Sequence, residues 1–496
     1  MQVTIQTKIT DEKSESYLEL IAEVLGHLRG KLLRDLLQKK SQKELKKQYI
    51  REGLLARQYN SLEKDVKAAI ASAKELRKLN IENIKERIQN RKKRIKNLKA
   101  KLKRNKKSKK SAQEKSKRKK KLLFDLHQSK RKLASLEHKR EKLEESKLSI
   151  CWGTKKLFLA QFAIEDGKSR YEDHASWKKD WRKKRNNRIF YVGSKDEKMG
   201  NQNCQLLGNQ LEIRVPRCLE KKIGQYIRVP IKFSYGHEII AEALKQKQAI
   251  NYRFVRKEKG WYLFLTTERR EPEIITKKKF GAIGIDVNKD HLAWSETDRF
   301  GNLICFGKKD KKIKLLVQDR RSDQVNASLG DAIKKIVEYA KSKEKPIVVE
   351  KLDFRKKKNA FVQHSKQYRR MLSYFSYSKF LKMIHSKAKR EGVEIIEVNP
   401  AFTSIIGKLK YSPIYGISIH IAASLVIARR GLNLTEKIPT RYTQCLAEHR
   451  HRHAWKQWSI LKAVSNRESR VGLGPRLLSL RRETRVDVTV LDSPPW

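Results

Sequence analysis

Acidic residues are scarce in this chain. Against 118 Lys and Arg stand 55 Asp and Glu, so its 496 residues carry a formal net charge of +63, spread along the length rather than gathered in a tail. Such an excess favours a polyanionic partner, because each phosphate neutralised by Lys or Arg releases condensed counterions. Long apolar runs are missing too. The longest, 416–428, contains His420, and none approaches the roughly 20 residues of a membrane-spanning helix. Nucleic acid therefore stands ahead of a membrane surface as the expected polyanion. The opening MQVTIQTKITDEK holds no apolar signal core, which predicts a reducing, cytoplasmic compartment. Cysteine is sparse and scattered, at Cys151, Cys204, Cys218, Cys305 and Cys445, with no CxxC pair. That spacing argues against a zinc ribbon and predicts reduced thiols.

Proline is absent from 14–147, where the glycines are Gly26, Gly30 and Gly53. A stretch so poor in helix breakers, with Leu18, Ile21, Leu25, Leu28 and Leu32 at helical intervals, predicts a long helical region first capped at Ser14. Within it Ile81, Ile84, Ile88, Ile95, Leu98 and Leu102 keep three-and-four spacing, and Leu122, Leu126, Leu133, Leu136 and Leu143 resume it after a gap. Two amphipathic helices of similar length predict an antiparallel coiled-coil hairpin. Its tip, 103–121, is mostly Lys, Arg and Ser; of the 31 residues 91–121, 19 are basic and one, Glu114, is acidic. Self-repulsion predicts a tip that orders only on phosphate, with Arg104, Lys106, Lys107, Lys109 and Lys110 as nucleic-acid contacts. A solvated charged coil without a ligand is the plainer reading of the same residues.

Residues 2–9 alternate apolar and polar, a strand pattern whose sheet partner must come from elsewhere. From 149 the composition turns to short apolar runs. Residues 157–164, 205–215, 226–233, 249–257 and 260–268 read as strands, with turns at Gly208-Asn209 and Lys259-Gly260 and a helix over 235–248. Five short strands predict a β-barrel or sandwich completed by the N-terminal strand, so that the helical region is an insertion into it. Arg182, Lys183, Lys184 and Arg185, in RKKRNNR, give this domain a basic cluster that reads either as phosphate-facing or as a charged loop. At roughly 100–200 residues per domain, the expected division is a strand at 1–13, a helical lobe at 14–148, a barrel at 149–270, a proline-containing linker at 271–279, an α/β domain at 280–435 and a basic, irregular tail at 436–496.

The α/β domain opens on GAIGIDVNKDHL, 281–292, where an apolar run delivers Asp286 to a polar tip. A second strand follows at 291–297 and a turn at 298–302. Beyond these come a helix at 328–340, a strand at 346–350 ending in Glu350, a helix at 368–391, a strand at 393–398 and an apolar helix at 416–430. An antiparallel opening followed by alternating strands and helices predicts a sheet of RNase H type. Two-metal phosphodiester hydrolysis needs carboxylates converging on two Mg2+ or Mn2+ about 4 Å apart, one activating water and the other holding the leaving oxygen. Asp286 and Glu350, each ending an apolar strand, fit that need; a strand-ending acid is also an ordinary structural residue. Asp353 lies three residues past Glu350, an odd spacing that points it to the other face of a strand. Arg355, Lys356 and Lys357 read as backbone contacts beside the site or as a charged loop. His449, His451 and His453 are interleaved with arginines and read as a basic patch rather than a metal set.

Taken together these residues resemble the TnpB family, the OrfB-type proteins of insertion sequences, relatives of the type V CRISPR effectors. The resemblance is carried by GAIGIDVNKDHLAWSETDRFGNL (281–303), KPIVVEKLDFRKKK (345–358), REGVEIIEVNPAFTS (390–404) and YGISIHIAASLVIARRGL (415–432). Upstream, the N-terminal strand, inserted helices and returning strands are similar to the family's wedge and recognition lobe; after about 435 the likeness fades. It implies a multidomain α+β chain: a wedge-like β-barrel with an inserted helical, coiled-coil lobe, then a RuvC-like RNase H-fold domain. It further implies a transposon-borne, RNA-guided DNA endonuclease of a prokaryotic, nucleoid-associated cytoplasm, with Mg2+ or Mn2+ as cofactor and a guide RNA and double-stranded DNA target as partners. Asp286 and Glu350 match the family's first two acids.

Two departures fall close together. The family's third acid is an Asp at the start of the last helix, just before an Ala-Ala pair; here Ala422-Ala423 is preceded by Ser418, Ile419, His420 and Ile421. His420 is the polar candidate at that corner, acting on the scissile phosphate or as a proton shuttle, although imidazole is a poor Mg2+ ligand. On an apolar helix it equally reads as a core histidine with its nitrogens satisfied. The family's two CxxC pairs are also absent, since 405–415 passes directly to the last helix, so no structural zinc is expected. Three functions follow: an endonuclease acting through Asp286 and Glu350 with His420 assisting, a nuclease-impaired RNA-guided DNA-binding transposon accessory protein or repressor, and a plain nucleic-acid binder whose acids are relics.

Overall fold

The computed structural model describes the chain apart from residues 108–110, 166, 168, 289–290, 310–321, 353–376, 443–445, 447–448, 450 and 472–496. It divides into two compact units, Met1–Arg270 and Glu271–Trp496.

Unit 1 runs β1 (Gln2–Lys8), α1 (Glu12–Leu37), α2 (Gln42–Arg51), α3 (Ala56–Lys106), α4 (Ala112–Glu145), α5 (Lys155–Leu159), α6 (His174–Arg185), β2 (Arg188–Tyr191), β3 (Cys204–Leu207), β4 (Gln210–Arg214), α7 (Glu220–Ile223), β5 (Tyr226–Pro230), α8 (His237–Lys245), β6 (Asn251–Lys257) and β7 (Gly260–Glu268). Its strands form two antiparallel sheets, ordered β1-β7-β6-β2 and β3-β4-β5. β1 pairs with β7 along its whole length, from Gln2 opposite Glu268 to Lys8 opposite Tyr262. The helices α1 to α4 therefore lie, in sequence, between the first two strands of one sheet. Both sheets and α1 to α3 share a core that includes Ile5, Leu18, Tyr49, Leu211, Tyr252 and Trp261. Arg188 ties β2 to α3 by a two-pronged bond to Asp65 at 2.6 and 2.7 Å. Beside it the Arg29 guanidinium is buried over the Trp152 ring at 4.6 Å. Burial first, then the charge of Arg188, pushes Arg29 down to about 10 against the pull of Asp65.

Four local expectations change here. The cap of α1 is Asp11, whose carboxylate accepts from the Ser14 amide at 2.7 Å, so Ser14 lies inside the first turn. The α3–α4 hairpin buries Ile84, Ile88, Leu98 and Leu122, with Lys92–Glu137 at 3.3 Å across the pair. Its arms extend into the stretch expected to be disordered: α3 reaches Lys106, α4 starts at Ala112, and the Asn105 amide donates to the Lys115 carbonyl at 3.0 Å. Lys, Arg, Ala and Gln are strong helix formers, and Ser111 caps α4, which outweighs the repulsion among spaced, solvated charges. Residues 157–164, expected as a strand, are α5 and a 3-10 turn, because Thr154 caps the Leu157 amide and the apolar side chains do not alternate. Arg182 to Arg185 form the last turn of α6 rather than a loop, on a helix capped by Asp173 and anchored by buried Trp177.

Unit 2 runs β8 (Ala282–Val287), β9 (Leu292–Thr297), β10 (Leu303–Lys309), α9 (Ser322–Ser342), β11 (Ile347–Glu350), α10 (Tyr377–Glu391), β12 (Ile395–Val398), α11 (Thr403–Ile406), a π turn over Gly407–Tyr411, α12 (Ser412–Tyr415), α13 (Ile419–Gly431) and α14 (Ala454–Val471). One sheet is ordered β10-β9-β8-β11-β12. β9 is antiparallel to both its neighbours and β11 is parallel to β8 and β12. A three-stranded meander continued by two parallel strands, with helices on both faces, is an RNase H-like arrangement. The sequence reading leaves β10 unassigned after the turn at 298–302 and takes α14 as irregular tail. Yet Trp458 and Leu461, three residues apart, are the anchors that α14 buries. His453, expected in a basic patch, is exposed and accepts the Trp455 amide on its Nδ1 at 3.2 Å at the start of α14. Among the described residues no single helix is long and apolar enough to cross a membrane.

Candidate active site

Side-chain alternation along β8 decides which residues meet. Ile283 and Ile285 point into a core with α9 and α10. Ala282, Gly284 and Asp286 alternate with them on the opposite face, the one covered by α13. Gly284 is required there: a Cβ would lie 2.0 Å from the Ser424 carbonyl oxygen and 2.6 Å from the Ala428 amide. Without a side chain at 284, α13 sits directly on the strand. Val348 of β11 shares that layer with Ala282, Val398, Ile427 and Ala428, so Glu350, two residues on, points the same way.

Register then brings the acids together. β11 lies beside β8 with Val348 opposite Gly284 and Val349 opposite Ile285, and one further step sets Glu350 beside Asp286. Both stand at the carboxyl ends of neighbouring parallel strands, on the face that α13 covers. The Asp286 side chain is 11% exposed and its Oδ2 accepts from the Asn288 amide at 2.8 Å. His420 Nδ1 lies 3.3 Å from the same oxygen. The His420 side chain is 44% exposed, in the first turn of α13, so it is not a core histidine. Buried His291 of the β8–β9 corner sets its ring edge-on to His420, centroids 4.5 Å apart.

Glu350 is bonded at both its side chain and its backbone. Thr403, opening α11, donates its hydroxyl to Oε1 at 2.6 Å. The Tyr377 hydroxyl donates to the Glu350 backbone carbonyl. Burial raises Tyr377 well above the ordinary phenol value, and the negative charges of Glu350, Glu397 and Asp286 add to it, so that the hydroxyl remains a donor in this acidic corner. Arg430 donates to the Asn399 carbonyl; burial lowers its guanidinium while Glu350 and Glu436 work the other way.

Two carboxylates at one strand edge suit a hard divalent cation, which commonly takes one or two carboxylates plus phosphate oxygens. Asp286 and Glu350 are the residues that would hold it. Among the described residues no group of three or more His, Cys, Asp or Glu is placed to hold a metal. Other acids of the unit are engaged elsewhere: Glu397 with His385 at 3.2 Å, and Glu436 with Lys410, Arg429 and Tyr411 at 2.6–2.7 Å.

The remaining candidates fall elsewhere. Arg104, Lys106 and Lys107 are exposed at the end of α3. Arg182 and Lys183 line a cavity of about 540 Å³ with Lys178, Lys179, Arg256 and Glu19; Lys184 joins Lys183 on a neighbouring one of about 430 Å³. The Arg185 carbonyl accepts from Arg29. Lys109, Lys110, Asp353, Arg355, Lys356 and Lys357 lie outside the described residues. Sequence reasoning missed Thr403, Tyr377, Asn288 and His291. Thr403 and Asn288 sit in the stretches NPAFTS and DVNKD that were singled out for their neighbours, whereas Tyr377 carries no local signal.

No family model matches the chain, and no curated protein matches it. Among solved structures it is similar to T. thermophilus RuvC in complex with a Holliday junction substrate, at 13% identity and a TM-score of 0.21 over 30% of this chain and 90% of that one. A CRISPR-Cas12f ternary complex is similar at 12% identity and a TM-score of 0.20, over 86% of this chain and 98% of that one. The Cas12i1 R-loop complex after target DNA cleavage follows at 11% and 0.14, over 78% and 45%.

Proposed function

We propose that the chain is a divalent-metal-dependent nuclease of RuvC-like type, and within that class a TnpB-like, RNA-guided DNA endonuclease encoded by a transposable element. One observation carries the nuclease reading: Asp286 and Glu350 stand side by side at the ends of parallel β8 and β11, facing one way, with His420 on Asp286. Mg2+ or Mn2+ held by the two carboxylates would supply the charge that activates water and steadies the leaving oxygen. The chain's own residues do the rest. Thr403 and Asn288 orient the acids, and His420 reaches the phosphate side of the corner, where a ring nitrogen can pass or accept a proton. The guided reading is supported by the resemblance of 281–432, by the +63 charge, and by a unit 1 whose β1 and β7 frame an inserted helical lobe in the manner of a wedge and recognition lobe. A guide RNA and a DNA duplex are the partners of this reading.

The second reading, a guided DNA-binding accessory protein or repressor that no longer cuts, is favoured by the corner occupied by His420, where no third described carboxylate joins the pair. One experiment separates the two. The protein is purified with the RNA it retains, that RNA is sequenced, and matched DNA is incubated with wild type, Asp286→Ala, His420→Ala and His420→Asp in Mg2+ or Mn2+. Cutting by wild type, lost in Asp286→Ala and reduced about 100-fold or more in His420→Ala, supports the nuclease. Equal product from wild type and Asp286→Ala removes the assignment. Binding without cutting that His420→Asp converts to cutting supports the second reading, and absence of a discrete RNA ends the guided one.

A further inference from the structure

Next to Glu350 the protein exposes an aromatic surface that the acid chemistry does not use. Trp455, in the first turn of α14, is 42% exposed although it belongs to a helix firmly docked by buried Trp458 and Leu461. The Trp458 indole donates to the Glu436 carbonyl at 3.1 Å, which fixes the helix in position. The Phe402 ring meets Trp455 edge-on, centroids 5.1 Å apart. Arg430 places its guanidinium 5.4 Å from the indole centroid, and the Lys462 ammonium lies 5.7 Å from the Phe402 ring.

The link to the acids is short. Phe402 adopts φ +67, a left-handed conformation uncommon for a bulky side chain and costly to hold. The next residue, Thr403, gives its hydroxyl to Glu350. One strained backbone position therefore sends an aromatic ring to Trp455 and a hydroxyl to the acid. Arg430 joins the two groups again, lying against Trp455 and within the electrostatic reach of Glu350. A rigid, half-exposed indole with Arg430 against it, and Lys462 over the adjoining Phe402 ring, is complementary to an aromatic base carried on a phosphate backbone. Stacking of this kind tolerates any sequence, because every base has a π-face. It also requires a free base face, which a base inside a duplex does not offer.

We propose that Trp455, backed by Phe402 and Arg430, stacks an unpaired nucleobase of the strand whose phosphate lies at the Asp286–Glu350 edge, and so sets the position of the cut. The proposal rests on the reading of unit 2 as a nuclease. Charge-driven binding to the rest of so basic a chain would mask a loss of affinity, so the test is local. Single-stranded DNA carrying 5-iododeoxyuridine is irradiated with full-length Asp286→Ala protein, which keeps the strand intact, and adducts are mapped by peptide mass spectrometry. The expected adducts are on Trp455 or Phe402. Annealing the complement should lower their yield about tenfold; Trp455→Phe should keep an adduct at 455, and Trp455→Ala should lower the yield at Phe402. Adducts confined to other aromatic residues, or an equal yield from the duplex, would overturn the proposal, and a protein ligand on this face would give that result. Cutting by wild type without these adducts removes the platform and leaves the nuclease. Adducts without Asp286-dependent cutting do the reverse.

Discussion

The Thr403 hydroxyl helps to aim Glu350. Thr403→Val keeps the shape of that residue and removes the 2.6 Å bond to Oε1. Partners of this kind typically contribute about 10- to 100-fold to metal affinity or activity. We expect Thr403→Val to raise the Mg2+ or Mn2+ concentration needed for half-maximal cutting by about tenfold, with the melting temperature unchanged and the effect reversed in Thr403→Ser. An unaltered metal dependence would show that the bond to Glu350 does not tune the metal site. The same scale shows what a sequence reveals of a site. Asp286 and Glu350 were legible because each ends an apolar run, a pattern local to its own strand. Thr403 was not, since its partner is 53 residues away and nothing between them encodes the meeting. His420 had two readings on the sequence, core residue or site residue, and its place in the exposed first turn of α13, 3.3 Å from Asp286, removes the first.

Elements position these residues through close backbone approach. Gly284→Ala would drive a methyl group into the backbone of α13 at Ser424 and Ala428; overpacking of this kind costs about 1–3 kcal/mol. A lowered midpoint in urea, together with weaker cutting, is expected; an unchanged midpoint would mean that α13 shifts freely. A second support lies under the same sheet, where buried Lys345 pairs with buried Glu296 at 2.5 Å and the Tyr339 hydroxyl bonds the other carboxylate oxygen. Lys345→Met strands that acid, and we expect a loss of about 3–5 kcal/mol by chemical denaturation, with Lys345→Met/Glu296→Leu recovering most of it. A loss below 1 kcal/mol would reveal water reaching the pair. Glu296 also shows why acids cannot be sorted by type alone: it is an acid on β9, beside the central strand of the sheet, yet it bonds Tyr339 of α9 and serves the fold.

At the scale of the molecule the charge dominates. With +63 and basic helix ends at Lys106 and Arg185, binding to nucleic acid should be steeply dependent on salt. If 6–10 phosphates are contacted, affinity for a random duplex falls about 1000-fold or more between roughly 50 and 200 mM salt, which fluorescence anisotropy of a labelled duplex measures. A flat profile would place the positive charge away from the bound backbone. The division at Arg270 follows the same logic of long-range pairing, since β1 completes the sheet that β7 ends and so binds the first residues of unit 1 to its last.

By itself, the sequence determined what short-range patterns encode: the three-and-four spacing of 81–143, the apolar strands that end in Asp286 and Glu350, the glycine at 284, and the sign of the chain's own charge. It misassigned 157–164 and passed over α14, because an apolar run shows its length but not whether caps or a neighbouring sheet will claim it. Only tertiary structure could set Val348 opposite Gly284, seat Thr403 on Glu350, bring His420 to Asp286 and place Trp455 against Phe402. Those meetings depend on strand register and on how closely a helix approaches a sheet, and both are fixed by contacts between residues tens of positions apart.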